Sequence, residues 1–309
     1  MSRSDRADLP PQLGVVVITY SPGETLATFL DSVAVATQRP TRIVMVDNGS
    51  TDGSVEQAAA AGRAELLRSG GNVGFGSAAN IGVAALPNGI DFVLIANPDV
   101  TLDAGSLDTL VAAFAEYPKA GAVGPSIRTP DGKLYPSARR LPTIADGVGH
   151  AVLGWIWPRN PWTRRYRAED EEVGRRPAGW LSGACLLVRR AAFDEIGGFD
   201  QRYFMYFEDI DLADRLAKAG WVNLYVPDAT VEHFGGHAAG RDRRRMLDEH
   251  HRSAYRYLAD RRAAPWQAPV RWALRGGLAV RAFLARHSEK VAAGAEIGAG
   301  PAHDRRYDD

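Results

Sequence analysis

Apolar residues in the first hundred positions gather into short unbroken runs, and each run ends in a polar residue. "LGVVVITY" spans 13–20, "RIVMVD" spans 42–47 and "DFVLIANPDV" spans 91–100. A strand buried on both faces reads as such a run, whereas a strand with one wet face alternates. Between the runs apolar residues return at helical spacing: Leu26, Phe29, Leu30 and Val33 follow the turn-forming "SPGE". The cluster "DNGSTDGS" precedes a second helical stretch, "VEQAAAAG", and "AELLRSGGNVGFGSAANIGVAAL" reads as a short strand, a glycine loop and a third helix. The repeated plan predicts an α/β fold with a mostly parallel sheet flanked by helices on both faces.

Pro98 cannot donate to a sheet ladder, so the last of these strands is expected to stop near Asn97 and leave Asp99 at its carboxyl end. Thr19, Tyr20 and Asp47 follow their own strands in the same way, which lines all four residues along the edge where open α/β sheets bind ligands. Asp and Asn also end strands and cap helices with no ligand involved. Three strands ending alike favour a cleft. "GNVGFG" sets Gly71, Gly74 and Gly76 before a helix, where backbone can come close to a phosphate or a ribose. A dinucleotide fingerprint is missing from the first turn, "TYSPGE", and no G-x-x-x-x-G-K-[ST] occurs, which argues against dehydrogenase and phosphate-loop ATPase chemistry. A carboxylate and a phosphate about 4 Å apart repel by roughly 4 kcal/mol at an effective dielectric of ~20. A divalent cation between them reverses the sign, and Mg²⁺ or Mn²⁺ takes its oxygens from one or two carboxylates plus substrate phosphates. Asp99 is thus a candidate metal ligand in a nucleotide-diphosphate site.

Composition narrows the classes without choosing among them. The 309 residues are 45% hydrophobic and 24% charged, with 37 basic and 37 acidic residues, so no global charge favours a nucleic-acid partner. Cys185 is the only cysteine, which excludes an internal disulfide and a cysteine-rich zinc site and fits a reduced, cytoplasmic setting. The polar start "MSRSDRADLPPQ" has no apolar signal core, and no apolar run approaches the roughly 20 residues of a membrane helix.

The second half adds acids and aromatics. In "FEDIDL", Glu208, Asp209 and Asp211 open a segment with Leu212, Leu216 and Ala219 at helical spacing. Carboxylates at a helix start have an ordinary explanation in the helix dipole. His233 stands just beyond an apparent strand, "VNLYVP", with His237 nearby and Arg241 and Arg243 following. Trp155, Trp157, Trp162 and Trp180 suit a sugar- or lipid-facing wall, or core packing. Between 261 and 290, seven Arg or Lys face one Glu and are interleaved with Trp266, Trp272, Leu274, Leu278, Val280, Phe283 and Leu284. That is the pattern of a basic amphipathic segment at an anionic membrane surface; the alternative is a helix packed on its own domain or on a second subunit in a homodimer. The last stretch, 291–309, has too little apolar content to order itself. The expected organisation is a flexible N-terminus (1–12), a catalytic domain (13–258, with halves 13–125 and 126–258), the membrane-associating segment (259–290) and the tail.

"VVVITY", "VDNGSTDGS", "GNVGFGSAAN" and "NPDV", in that order, resemble the nucleotide-binding half of the family 2 inverting glycosyltransferases, which share the GT-A fold. The resemblance implies Asp47 on the donor's base, Thr19 and Tyr20 at the nucleoside, Gly74, Asn80 and Asn97 in the rest of the donor site, and Asp99 on the metal. Asn97 stands where the family's D-x-D pattern has its first carboxylate. The resemblance further implies Asp209 as general base, His233 as second metal ligand, and Trp180, Gly183 and Glu208 on the acceptor side. The reaction implied is a single in-line displacement in which Asp209 takes the acceptor's proton; a diphosphate leaving group needs no protonated partner of the glycosidase kind. "YPSARRLPT", "WPRNPWTRRYR", "GWLSGACLLVRR" and "YFMYFEDIDL" are similar to actinobacterial rhamnosyltransferases that use dTDP-L-rhamnose and N-acetylglucosaminyl-diphospho-polyprenol in building the cell-wall arabinogalactan linker. That likeness implies an enzyme peripheral to the inner face of the cell membrane. Another nucleotide sugar with another glycan acceptor, or a non-catalytic nucleotide-sugar-binding regulator, is the alternative.

Overall fold

Residues 13–142, 174–235 and 243–280 are described in a computed structural model, the side chains of the third stretch from 245 onward. The chain divides into two compact units, Met1–Arg241 and Asp242–Asp309.

The first unit begins as the apolar runs require: β1 (Leu13–Thr19), α1 (Thr25–Ala36), β2 (Thr41–Asp47), α2 (Ser54–Ala60), β3 (Glu65–Arg68), α3 (Phe75–Ala85) and β4 (Phe92–Ala96). A three-residue strand β5 (Val100–Leu102) and helix α4 (Ser106–Glu116) lead into β6 (Ala120–Arg128), then β7 (Leu134–Tyr135) and β8 (Ala138–Arg139). After the undescribed stretch come β9 (Arg176–Ala178), β10 (Trp180–Leu181), β11 (Cys185–Arg189), α5 (Arg190–Glu195), α6 (Glu208–Lys218) and β12 (Val222–His233). The sheet runs β3-β2-β1-β4-β11-β6-β12-β5, with β7 on β6 and β9 on β12, while β8 and β10 form a separate ribbon. Four neighbouring pairs in that order are parallel and three antiparallel.

Alternation along the central strands explains why they look uniformly apolar. Val15, Val17, Leu94 and Ala96 enter one core with Leu26, Phe29 and Leu30 of α1 and Leu107 and Leu110 of α4. Val16, Ile18, Val93 and Ile95 enter the other, with Ala78, Ala79 and Val83 of α3 and Leu212 and Leu216 of α6. Each face of the sheet is covered, so neither set of alternate residues can be polar.

One expected boundary is corrected. The strand "VNLYVP" does not end at Pro227: β12 continues to His233 through an irregularity between Val226 and Thr230 in its pairing with β6. Proline is tolerated there because a bulge removes the ladder position that would need its missing N–H.

The second unit holds α7 (Arg243–Asp260), a 3₁₀ turn (Pro265–Gln267) and a helical stretch over 268–280. Among the described residues no helix is long and apolar enough to cross a membrane. Residues 1–12 and 281–309, Trp155, Trp157, Trp162, His237 and Arg241 lie outside the described residues, as does the side chain of Arg243.

Candidate active site

Three strand ends build the first wall. Thr19 and Asp47 are direct partners across the parallel β1–β2 pair, both almost wholly buried. A buried carboxylate is tolerable only when paired and hydrogen-bonded. Asp47 meets that condition: the Ser50 N–H donates to Oδ1 at 2.9 Å, the Thr19 hydroxyl to the same oxygen at 3.3 Å, and Arg68 Nη1 to Oδ2 at 3.2 Å. Arg68, partly in solvent, also binds Glu56, so the charge of Asp47 is shared out toward the surface. Tyr20 follows Thr19 in the chain and is 40% exposed. Asn48 carries the wall onward by donating from Nδ2 to the Gly74 carbonyl.

Asp99 and His233 are 134 positions apart, and β5 brings them together. Val100 pairs with His233 across the antiparallel β12–β5 ladder, and the Phe234 N–H donates to the Asp99 carbonyl at 3.0 Å. His233 Nε2 consequently lies 3.1 Å from Asp99 Oδ1, with Asn97 Nδ2 3.3 Å from the same ring nitrogen. The carboxylate and the imidazole are in hydrogen-bond contact, and a divalent cation that replaced the shared proton could take one oxygen and one nitrogen ligand from them. Among the described residues no three His, Cys, Asp or Glu side chains are arranged to hold a metal ion, so a cation here would take its remaining ligands from water and substrate.

Asp209 faces the same edge from α6. Its Oδ2 accepts the Gly183 N–H at 3.1 Å and its Oδ1 the Ile210 N–H at 2.8 Å, which fixes the carboxylate in place. Burial pushes the Asp209 carboxyl up, and those two N–H groups and the charge of Arg139 pull it back down. Its neighbour Glu208 is 7% exposed, its Oε2 has no hydrogen-bond partner, and burial together with the charge of Asp209 drives its carboxyl up to about 8. At neutral pH Glu208 is therefore mainly a neutral acid. Asp211 has the ordinary role: it is ion-paired to Arg215 one turn along the helix at 2.7 Å.

Just past the β4–β11 ladder that joins the two halves, the Asn97 N–H donates to the Ala184 carbonyl at 2.9 Å. Asn97 is two residues from Asp99, and Ala184 is next to the Gly183 that holds Asp209. The glycine loop also packs on the second half of the unit. Gly74 has φ +89°, and a Cβ on it would lie 2.3 Å from the Phe204 carbonyl oxygen, so its close approach is to the loop before α6. The amide of Asn80 is engaged with that loop as well, donating to the Phe199 carbonyl at 2.8 Å and accepting the Phe199 N–H at 2.9 Å. Both residues thus join α3 to the segment that presents Glu208 and Asp209. That segment ends in Tyr206 and Phe207 at φ +66° and +68°, a left-handed conformation that costs about 1–3 kcal/mol per non-glycine residue and clusters at functional sites.

Trp180 is paired with Arg139 across the β8–β10 ribbon. Sequence reasoning gave Arg139 no role; the only hint was its place within "YPSARRLPT". Cys185 is buried on β11 with its thiol pushed up to about 12 by burial, too protonated to serve as a nucleophile.

A mixed sheet of this order with helices on both faces is the GT-A-like architecture. Solved structures share it: a mannosyltransferase from Pyrobaculum calidifontis, in complex with GDP-Man and Mn²⁺, aligns at a TM-score of 0.56 and 19% identity over 96% of this chain and 77% of its own. The GalNAc-T7 structure with UDP, GalNAc and Mn²⁺ aligns at 0.55 and 17% identity, over 74% of this chain and 44% of its own. The chain belongs to glycosyl transferase family 2, whose model matches residues 14–197. It is 52% identical to the N-acetylglucosaminyl-diphospho-decaprenol L-rhamnosyltransferase of Mycobacterium tuberculosis, over 88% of this chain and 92% of that one. Rhamnosyltransferase WbbL of Escherichia coli K12 is 33% identical over 63% and 73% of the two chains.

Proposed function

We propose that this chain transfers L-rhamnose from dTDP-L-rhamnose to an N-acetylglucosaminyl-diphospho-polyprenol, with inversion, at the membrane surface that carries this lipid and in the service of cell-wall linker synthesis. The observation that carries the reading is the 52% identity to the mycobacterial enzyme across nearly the full length of both chains. The site geometry gives that reading its chemistry.

Asp47 and Thr19 are positioned to receive the donor's nucleoside, and Asp99 and His233 its diphosphate. A divalent cation held by Asp99 and His233 would supply the positive charge that lets a carboxylate sit against the leaving diphosphate. Asp209, with both oxygens oriented by backbone N–H groups, accepts the proton of the acceptor hydroxyl as that oxygen attacks the anomeric carbon. The C–O bond to the nucleotide breaks as the new glycosidic bond forms, and the nucleoside diphosphate leaves with the electron pair.

The second unit suits the lipid-linked acceptor. Trp266 and Trp272 are 78% and 73% exposed, Val270 and Val280 are also in solvent, and Arg275 is exposed among them. Exposed indoles beside arginines belong at a headgroup boundary. The test is a transfer assay with labelled dTDP-L-rhamnose and GlcNAc-diphospho-polyprenol. Label should move to the lipid fraction in the presence of Mn²⁺ or Mg²⁺; transfer from UDP- or GDP-linked sugars with none from dTDP-rhamnose would overturn the reading.

A further inference from the structure

We propose that Arg139 is the anchor for the acceptor's diphosphate, an assignment that rests on the lipid-diphosphate acceptor proposed above. Arg139 lies half-buried on β8, directly opposite Trp180 of β10. Its guanidinium carbon is 5.6 Å from the ring centre of Trp180 and 5.6 Å from that of Tyr135. Nε donates to the Pro136 carbonyl at 2.9 Å. Two rings and one hydrogen bond thus fix the plane of the fork, while among the described residues no acceptor meets its two terminal nitrogens and no carboxylate forms an ion pair with it. Close approach of the two strands is built in: a Cβ on Gly179 would fall 2.3 Å from the Leu141 nitrogen.

An oriented guanidinium with free terminal N–H groups matches a phosphate edge to edge, as a lysine cannot. Its location selects which phosphate. The donor diphosphate is served by Asp99 and His233 at the sheet edge. Arg139 instead shares its ribbon with Trp180, and the same chain runs from Trp180 to Gly183, which holds the base. A sugar whose hydroxyl reaches Asp209 would direct its anomeric diphosphate along this ribbon. The charges are arranged accordingly: Arg139 offsets Asp209, and the carboxyl of Glu208, neutral at pH 7, adds no repulsion for a doubly charged acceptor.

The experiment compares the full chain with Arg139→Gln and Arg139→Lys, using GlcNAc-diphospho-farnesol and a neutral alkyl β-GlcNAc. Binding of each is titrated without donor, and kcat/KM is measured where transfer occurs. Loss of a bidentate charged contact should weaken the diphosphate ligand about 10- to 100-fold in Arg139→Gln, with Arg139→Lys between, while the neutral ligand and dTDP bind as before. Unchanged binding of the diphosphate ligand, equal losses on both acceptors, or a matching loss in dTDP affinity would each overturn the assignment. Wild-type transfer reports separately on the proposed reaction: binding that depends on Arg139 without rhamnosyl transfer would leave the anchor standing and remove the reaction.

Discussion

Replacing Glu208 by Gln should make the protein more stable, by an amount that grows as pH rises. The side chain is 7% exposed, one oxygen has no partner, and Asp209 adds a like charge. Its carboxyl is therefore raised from an ordinary 4.5 to about 8 in the folded state. Between those values the unfolded chain has lost this proton and the folded chain has kept it, so the folded protein binds more protons and loses stability with rising pH. The slope for one proton is about 1.4 kcal/mol per pH unit. From pH 5.5 to 7.5 the wild type should lose roughly 2–3 kcal/mol relative to Glu208→Gln. For a domain of this size each kcal/mol moves Tm by about 2–4 °C, so the gap between the two melting curves should widen by about 5–10 °C. Differential scanning fluorimetry of both proteins across that pH range is the assay. Parallel Tm profiles would mean that Glu208 is ionised in the fold or open to water.

Other outcomes follow from the same geometry. Asp209→Asn should leave Tm and dTDP binding close to wild type and cut turnover by about 10²- to 10⁴-fold, the usual worth of a general base; a variant that keeps a tenth of its rate in the transfer assay would take Asp209 out of that role. Gly74→Ala forces a Cβ into the Phe204 carbonyl at a left-handed φ, so it should lower stability by about 2 kcal/mol or more in urea unfolding and slow turnover through the displaced 200–207 segment. A Trp266→Ala, Trp272→Ala double variant should lose co-sedimentation with phosphatidylglycerol vesicles while transfer to a short, water-soluble acceptor stays unchanged; equal sedimentation of the two proteins would move the membrane contact elsewhere.

Much of the fold was legible because its signals are local. The runs that became β1, β2 and β4 have both faces covered, so hydrophobicity alone marked them, and Pro98 fixed where the third one ends. Thr19, Asp47 and Asp99 could be placed on one edge from that plan alone. What escaped was non-local or very short. β5 has three residues and no pattern of its own, yet its pairing with β12 is what brings Asp99 to His233. Pro227 looked like a strand end because a bulge cannot be read from one strand's composition. The packing of Gly74 on the Phe204 carbonyl and the hold of Asn80 on Phe199 also escaped, since each joins positions more than a hundred residues apart. The environment of Arg139 is set by a two-residue strand pairing across 41 positions, for which no sequence period exists.

The central claim is that Asp99 and His233 hold a cation on the donor's diphosphate while Asp209 stands across the reacting carbon. A crystal structure with Mn²⁺ and a non-reactive dTDP-rhamnose analogue tests it most directly. The anomalous Mn²⁺ peak should lie between Asp99, His233 and the diphosphate oxygens, with Asp209 facing the anomeric carbon from the side opposite the leaving group. A cation bound elsewhere, or an anomeric carbon turned away from Asp209, would contradict it.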